Sequence, residues 1–328
     1  LLSPTLLSDT WEKTKEILFS ERDDEQKDPR ALSNALAHFH RYGQDSRFRK
    51  RPSDADLNAS TPQNLGTLIT DLLAVNRTIL YFGPRSIEEI EKTILEGFVG
   101  QKPTKDTPPI SPNRSFQASR NQVYFLQKEM AQAQVRLEFA VGTYDEEMTP
   151  LAQLYNEYFG GGMAGLVFQE LREARALAYS AWAHFFTPSR PSEENVLVGA
   201  IGCQADKTID AVNAFMELLD NMPINQTRWE SAHSSILSTY RTNPSKSRSI
   251  PGFVFDYNAL GLQEDPRENR YQKIQKVQID DLKNFYEQKI QPQSILVSIV
   301  GDSDKINLQE LKKIGKVTTI KPEELFRR

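Results

Sequence analysis

Cysteine, histidine and net charge are all scarce in this chain, and each scarcity rules something out. One cysteine in 328 residues excludes an internal disulfide framework. That residue, Cys203, ends the apolar run from Val196, so it reads as a small buried core side chain rather than a nucleophile. The four histidines are His38, His40, His184 and His233. Only His38 and His40 are close in sequence. On a helix, positions i and i+2 point to different faces, so a shared zinc is not expected there. A net charge of -4 argues against a dedicated nucleic-acid binder, which usually carries a basic excess. The one dense basic run, Arg47, Arg49, Lys50 and Arg51, is followed by Asp54 and Asp56 and reads as a solvated loop rather than a phosphate site. No apolar run reaches the roughly 18 residues that span a bilayer. No signal-peptide pattern is present in these residues.

What is there is ordinary for a globular protein, with 38% hydrophobic and 26% charged residues. The length fits two domains of about 100–200 residues each. Four prolines in QKPTKDTPPISPN mark an interdomain linker over residues 101–114. Before it, the pattern predicts helices over 7–19, 29–42, 61–73 and 86–98, and one strand, Thr78–Phe82, ending at Gly83. A lone strand cannot satisfy its own backbone groups, so its sheet partners must lie elsewhere. After the linker, strands are predicted over 122–126, 134–141, 179–186, 195–204, 294–300 and 317–320. Val135, Leu137, Phe139 and Val141 alternate on one face of the second. Helices are expected near 207–221, 226–240, 253–261, 279–289 and after Asp302. The fold class is α+β, an α/β sandwich with a mostly antiparallel sheet and helices on one face.

The two regions echo each other. Residues 61–98 and 279–314 both read helix, apolar strand, glycine, helix, with Gly83 and Gly301 ending the matched strands. A spacing of about 220 residues suits a duplicated domain rather than a solenoid. Residues 115–328 would then be one complete repeat, and 1–100 the back half of a preceding one. The first residue is Leu, not Met, so a piece of a longer chain is expected.

The stretch NEYFGGGMAGLVFQELREARALAYS (156–180) concentrates the candidate chemistry. Gly160, Gly161 and Gly162 break the chain before an amphipathic helix, and bare backbone N–H groups there could meet a ligand. A phosphate cradle would need a Lys-Ser/Thr after the glycines, and Met163-Ala164 stands there instead. A tight helix–helix turn is the equal alternative. Arg172 and Tyr179 lie beyond, two groups suited to gripping a peptide carbonyl. Their plainer readings are an exposed helix arginine paired with a nearby Glu, and a strand core aromatic. Glu170 and Glu173 read as helix-surface salt-bridge formers.

The glycine run, then Val167-Phe168-Gln169-Glu170-Leu171-Arg172-Glu173, then Arg175 and Leu177-Ala178-Tyr179-Ser180, resemble the signature of the later domains of pitrilysin-type zinc metallopeptidases. These are the inverzincins, which include insulysin, the mitochondrial processing peptidase and similar bacterial zinc proteases. Ala176 stands where the family more often has glycine. The zinc motif His-x-x-Glu-His is absent from this sequence.

The resemblance implies a pitrilysin-like sandwich and the C-terminal half of a zinc endopeptidase that hydrolyses peptides or unfolded polypeptides. Zinc would belong to an N-terminal half, in the same longer chain or a separate subunit, and this chain would bind no cofactor and be inactive alone. Arg172 and Tyr179 would support the substrate carbonyl or oxyanion, and Gly160, Gly161 and Gly162 would contact the substrate. The implied partners are that zinc-bearing half and a peptide, with no nucleic acid and no membrane span. A non-catalytic scaffold or partner subunit of the same fold is the alternative. No compartment is specified; a single cysteine and the absence of a lipid anchor lean towards the periplasm over the cytoplasm.

Overall fold

In the second half of the chain, alternating apolar residues assemble a sheet that positions everything else. The computed structural model describes residues 7–97, 105–106, 111–291 and 293–328. Six strands, β1 (Gln122–Gln127), β2 (Gln132–Thr143), β3 (Ser180–Phe186), β4 (Glu194–Gln204), β5 (Leu296–Gly301) and β6 (Lys316–Thr319), form one sheet in the order β3-β4-β2-β5-β1-β6. The pairs β3–β4, β4–β2 and β2–β5 are antiparallel, whereas β5–β1 and β1–β6 are parallel. The sheet is therefore mixed, with antiparallel pairing in the majority.

Val135, Leu137 and Phe139 of β2, Ala181, Ala183 and Phe185 of β3, and Val297 and Ile299 of β5 all enter one buried core. The helices that cover this face are α6 (Thr149–Tyr155), α7 (Leu166–Phe168), α8 (Thr208–Asp220), α9 (Gln226–Thr242), α11 (Arg267–Lys276), α12 (Ile279–Phe285) and α13 (Leu308–Ile314). The helix α10 (Ile250–Ala259) lies outside, with no buried residue. Cys203 is fully buried in this core, and burial pushes its thiol up to about 11, so it is not a nucleophile.

The opposite face receives a helix from the first region. After α1 (Ser8–Lys27), α2 (Pro29–Tyr42) starts sharply: Asp28 caps it by accepting from the N–H groups of Arg30 and Ala31, and Pro29 sits at its first position. Gly43 ends it at φ 55. Leu32, Ala35 and Leu36, spaced i, i+3, i+4, pack on Leu126, Val300 and Ile320 and on Phe326. Leu325, which joins the same cluster, belongs to the short C-terminal helix Pro322–Leu325. The basic run is used here. Arg51 pairs with Glu25 at 2.5 Å and lies over the Phe326 ring, and Lys50 reaches Asp45 at 2.9 Å.

The remaining helices of the first region, α3 (Asp54–Ala59), α4 (Pro62–Leu73) and α5 (Ile87–Gly97), bring little core; α4 and α5 bury no residue. Thr78–Phe82 does not form the predicted strand. Ile79, Leu80 and Phe82 are exposed, because no described strand lies beside this segment to take its N–H and C=O groups. Most of the expected linker, 101–114, falls outside the described residues; Lys105 bridges to Val75.

Candidate functional site

The glycine run closes the helix that begins at α6. Beyond Tyr155 that helix widens into a π-helical turn, Asn156–Gly160, and a short 3-10 turn follows at Gly162–Ala164. Two of the three glycines are there for packing. A Cβ on Gly160 would stand 1.8 Å from the Ala183 carbonyl oxygen of β3, and one on Gly161 would stand 2.4 Å from that of Glu157. Gly162 differs: its φ is +57 and the space around it is open. The loop is held from two sides, since Arg228 Nη1 donates to the Ala164 carbonyl at 2.7 Å and Gln169 Nε2 to that of Met163 at 2.5 Å. Met163 at its tip is 75% exposed. The tight-turn reading thus accounts for Gly160 and Gly161, and only Gly162 offers an open backbone.

Arg172 lies in a second π-helical segment, Gln169–Ala174. Its guanidinium sits 4.8 Å from the Phe168 ring centroid and 3.6 Å from the Glu173 carboxylate. Glu170 faces Arg175, which also holds Glu217 at 2.8 Å. Both glutamates therefore serve helix-surface pairs. The segment ends when the Leu177 N–H returns to the Leu171 carbonyl at 2.9 Å, with Ala176 between them at φ 49. Ala176 is the one described non-glycine residue in the left-handed region. That conformation costs a residue with a Cβ roughly 1–2 kcal/mol. Ala176→Gly is accordingly expected to raise stability by about 1 kcal/mol, read as a higher melting midpoint; a lower midpoint would refute the strain.

Tyr179 directly precedes β3 and is 53% exposed, not a core aromatic. Its hydroxyl accepts a hydrogen bond from Gln204 Nε2 at 2.9 Å, which leaves the phenolic proton free to be donated elsewhere. No described hydrogen bond or ring contact joins Tyr179 to Arg172. Gln204 is a member of this site that the linear sequence hides, because it comes from the far end of a neighbouring strand. Asn156 is another. Its amide accepts from the Phe185 N–H at 2.6 Å and donates to the Phe185 carbonyl at 2.9 Å, closing the outer edge of β3 as a neighbouring strand would.

The histidines do not fit a zinc site. His40 is buried and shares a hydrogen bond with Ser298, whereas His38 turns to Ser46. His184 packs on Phe186, and His233 bonds to the Ile274 carbonyl. No cluster of three or more His, Cys, Asp or Glu able to hold a metal occurs among the described residues. No described helix is long and apolar enough to cross a membrane.

The mixed six-stranded sheet backed by helices, with a clamped glycine loop at one edge, fits the C-terminal half of a pitrilysin-like protein. Residues 74–235, just under half of the chain, match the family model described as the peptidase M16 inactive domain, which supports a C-terminal half of a pitrilysin-like protein. The crystal structure of a peptidase M16 inactive domain from Pseudomonas fluorescens is similar with a TM-score of 0.71 at 15% identity, covering 92% of this chain and 72% of that one. A protease from Helicobacter pylori gives a TM-score of 0.68 at 14% identity, over 90% of this chain and 73% of its own. A chain of complex III2 from Candida albicans, with Inz-5 bound, gives 0.62 at 11% identity, over 92% and 74%. At such identities the likeness concerns the fold. No curated protein matches the sequence at a significant level.

Proposed function

We propose that this chain is the non-zinc half of a peptide-hydrolysing zinc peptidase and that it holds the peptide rather than cutting it. The observation that carries this reading is Tyr179, an exposed phenol whose oxygen is fixed by Gln204 and whose proton is free. Such a phenol can donate to a peptide carbonyl, and more strongly to the oxyanion which that carbonyl becomes. Arg172, half exposed on the preceding helix, supplies positive charge; to reach a ligand it must exchange its contact with Glu173, a cheap step for an exposed pair. Gly162 is the loop position with room for a substrate backbone. Zinc, held by a separate catalytic half, would supply the activated water.

Thr78–Phe82, which pairs with no described strand, and its sequence match to β5 support a second part of the proposal. Residues 115–328 form a complete non-zinc domain, and 1–100 the back part of a preceding one.

Tyr179→Phe, assayed with the catalytic half present, is expected to lower peptide turnover about 10- to 1000-fold, the range for losing one oxyanion donor. Because the ring stays, peptide affinity should change far less. Unchanged turnover would sink the gripping role. The alternative is a scaffold or partner subunit. It draws on the engagement of Arg172 by Glu173 and Phe168 and on the fold shared with a chain of complex III2 from Candida albicans.

A further inference from the structure

Between the last turn of α9, the first turns of α11 and helix α10 lies a cavity of about 680 Å³, a volume suited to a small organic molecule. Its lining includes no residue of the glycine loop or of the Tyr179 site. Arg228, which clamps the glycine loop, lies in the first turn of α9, whereas Tyr240 and Arg241 lie in the last. The two places are therefore about 20 Å apart along the helix at 1.5 Å per residue.

The walls of the cavity are fastened from behind. Arg270 of α11 holds Glu146 through Nε and Nη2 at 2.8 and 2.6 Å, and the Tyr144 hydroxyl donates to the same carboxylate. Tyr240 of α9 donates to Gln153 Oε1 of α6 at 2.8 Å. The Tyr240 and Tyr271 ring centroids lie 5.9 Å apart. Tyr257 of α10 stacks on Phe253, with the Arg270 guanidinium 6.0 Å from its ring centroid. Three half-buried phenol rings thus face one space. Burial raises Tyr240 and Tyr257 above the ordinary 10, so both keep their protons at neutral pH. Gln153 Nε2 and the Tyr257 and Tyr271 hydroxyls have no described partner, which leaves them for polar atoms at the edge of a bound ring.

The charges on the lining decide the sign of the ligand. Arg267 is held by Asp265 and Arg270 by Glu146, so both are compensated. Arg241 pairs with no carboxylate among the described residues. Its Nε donates to the Leu237 carbonyl at 3.2 Å, and its Nη1 and Nη2 are unengaged. The remaining acid, Glu268, accepts from Gln272 at 3.3 Å, and both are exposed on the outer side of α11, away from the face of Arg267, Arg270 and Ile274. One uncompensated guanidinium therefore stands beside aromatic surface, and the planar fork of a guanidinium matches a carboxylate.

We propose that this cavity is a binding site for a small aromatic carboxylate, with the ring among Tyr240, Tyr257 and Tyr271 and the carboxylate on Arg241. The site is independent of the peptide grip read at Tyr179. An aliphatic anion leaves the rings unused, and a neutral aromatic leaves Arg241 unengaged.

The test is isothermal titration calorimetry of the chain of residues 1–328 with N-acetyl-L-tryptophan, its neutral amide and acetate. N-acetyltryptophan should bind one-to-one and about tenfold or more tightly than the amide, the worth of one charge-assisted contact. Acetate should give no measurable binding. Arg241→Gln should lower the affinity for N-acetyltryptophan to that of the amide and leave the amide unaffected. Arg241 is exposed, so the melting midpoint of this variant should match the unsubstituted chain. Tyr271→Leu should weaken both ring-bearing ligands by about tenfold. Lys312→Gln, which removes an exposed charge on α13, should change neither. Equal affinity for acid and amide overturns the proposal, as does acetate binding as well as N-acetyltryptophan, or no binding of any of the three. So does an Arg241→Gln variant that binds like the unsubstituted chain, which would put the ligand elsewhere. A loss in Lys312→Gln as large as in Arg241→Gln would reduce the effect to general charge attraction and also overturn it.

Discussion

Gly160→Ala is expected to destabilise the protein by about 3 kcal/mol or more, a large effect for a single methyl group. The added Cβ would lie 1.8 Å from the Ala183 carbonyl oxygen and 2.7 Å from its carbon. Both are backbone atoms of β3, so no side-chain rotation relieves the overlap. Either the strand or the π-helical turn must move, and either movement pulls Asn156 away from Phe185, where it makes bonds of 2.6 and 2.9 Å. Losing that clamp would expose an edge of β3 that can pair with another molecule. The melting midpoint should fall by roughly 5–10 °C, and aggregation above the transition should increase. Gly162→Ala is the informative contrast. Its Cβ meets nothing, so only the φ of +57 is penalised, at about 1 kcal/mol. Equal melting midpoints for the two variants would mean that Gly160 is not a packing residue, and would return the whole run to a ligand-facing role.

That contrast also marks how far the sequence could be read. The six strands were legible to within about two residues, because Val135, Leu137 and Phe139 and their counterparts alternate with the period of a half-buried strand. Helix α2 was equally legible, since Asp28, Pro29 and Gly43 punctuate it. The face on which α2 packs was not. Its contacts with Leu126, Val300 and Ile320 join residues far apart in the chain, and no local pattern encodes such a pairing. Helix α11 was missed because Ile274 is its one buried residue and the helix shows no apolar period. Thr78–Phe82 has strand composition without a described partner, so local preference alone does not make it a strand.

The same division runs through the candidate site. Gly160–Gly162, Arg172 and Tyr179 stand out in the sequence, and their unusual order suggested the family. Gln204 and Asn156, which fix the Tyr179 phenol and the β3 edge, are chemically unremarked polar residues until folding brings them there. The glycines carried a second meaning that composition cannot reveal. Two of them permit close backbone approach, and one adopts a left-handed turn.

Acidification is expected to loosen α2 from the sheet, with His40 the residue responsible. The ring is 3% exposed, stacks on Tyr124 with centroids 3.7 Å apart, and shares a 3.0 Å hydrogen bond with Ser298 Oγ. Burial drives its pKa down to about 3 from the ordinary 6.5, and the Gln122 side chain opposes the shift only in part. No charged group is among the causes of that shift, and the adjacent Arg41 is paired with Glu138 of β2 at 3.4 Å. His38, lowered to about 4 by burial and by Arg41 and Arg47, acts in the same sense. Between the two values for His40, the unfolded chain binds a proton that the folded protein does not. Stability from the neutral buried ring is therefore complete above pH 6.5 and declines as pH falls towards 3. The slope approaches about 1.4 kcal/mol per pH unit, so at a single temperature acidification from pH 6.5 to 4 removes stability on the order of a few kcal/mol. His40→Gln retains a hydrogen-bonding amide near Ser298 without the titration. Urea unfolding of both proteins at pH 7, 6, 5 and 4 should give a clearly shallower acid decline for the variant, and hydrogen exchange should find the α2 amides deprotected first in the unsubstituted chain. Parallel declines would assign the acid sensitivity to the carboxylates instead and remove His40 as its cause.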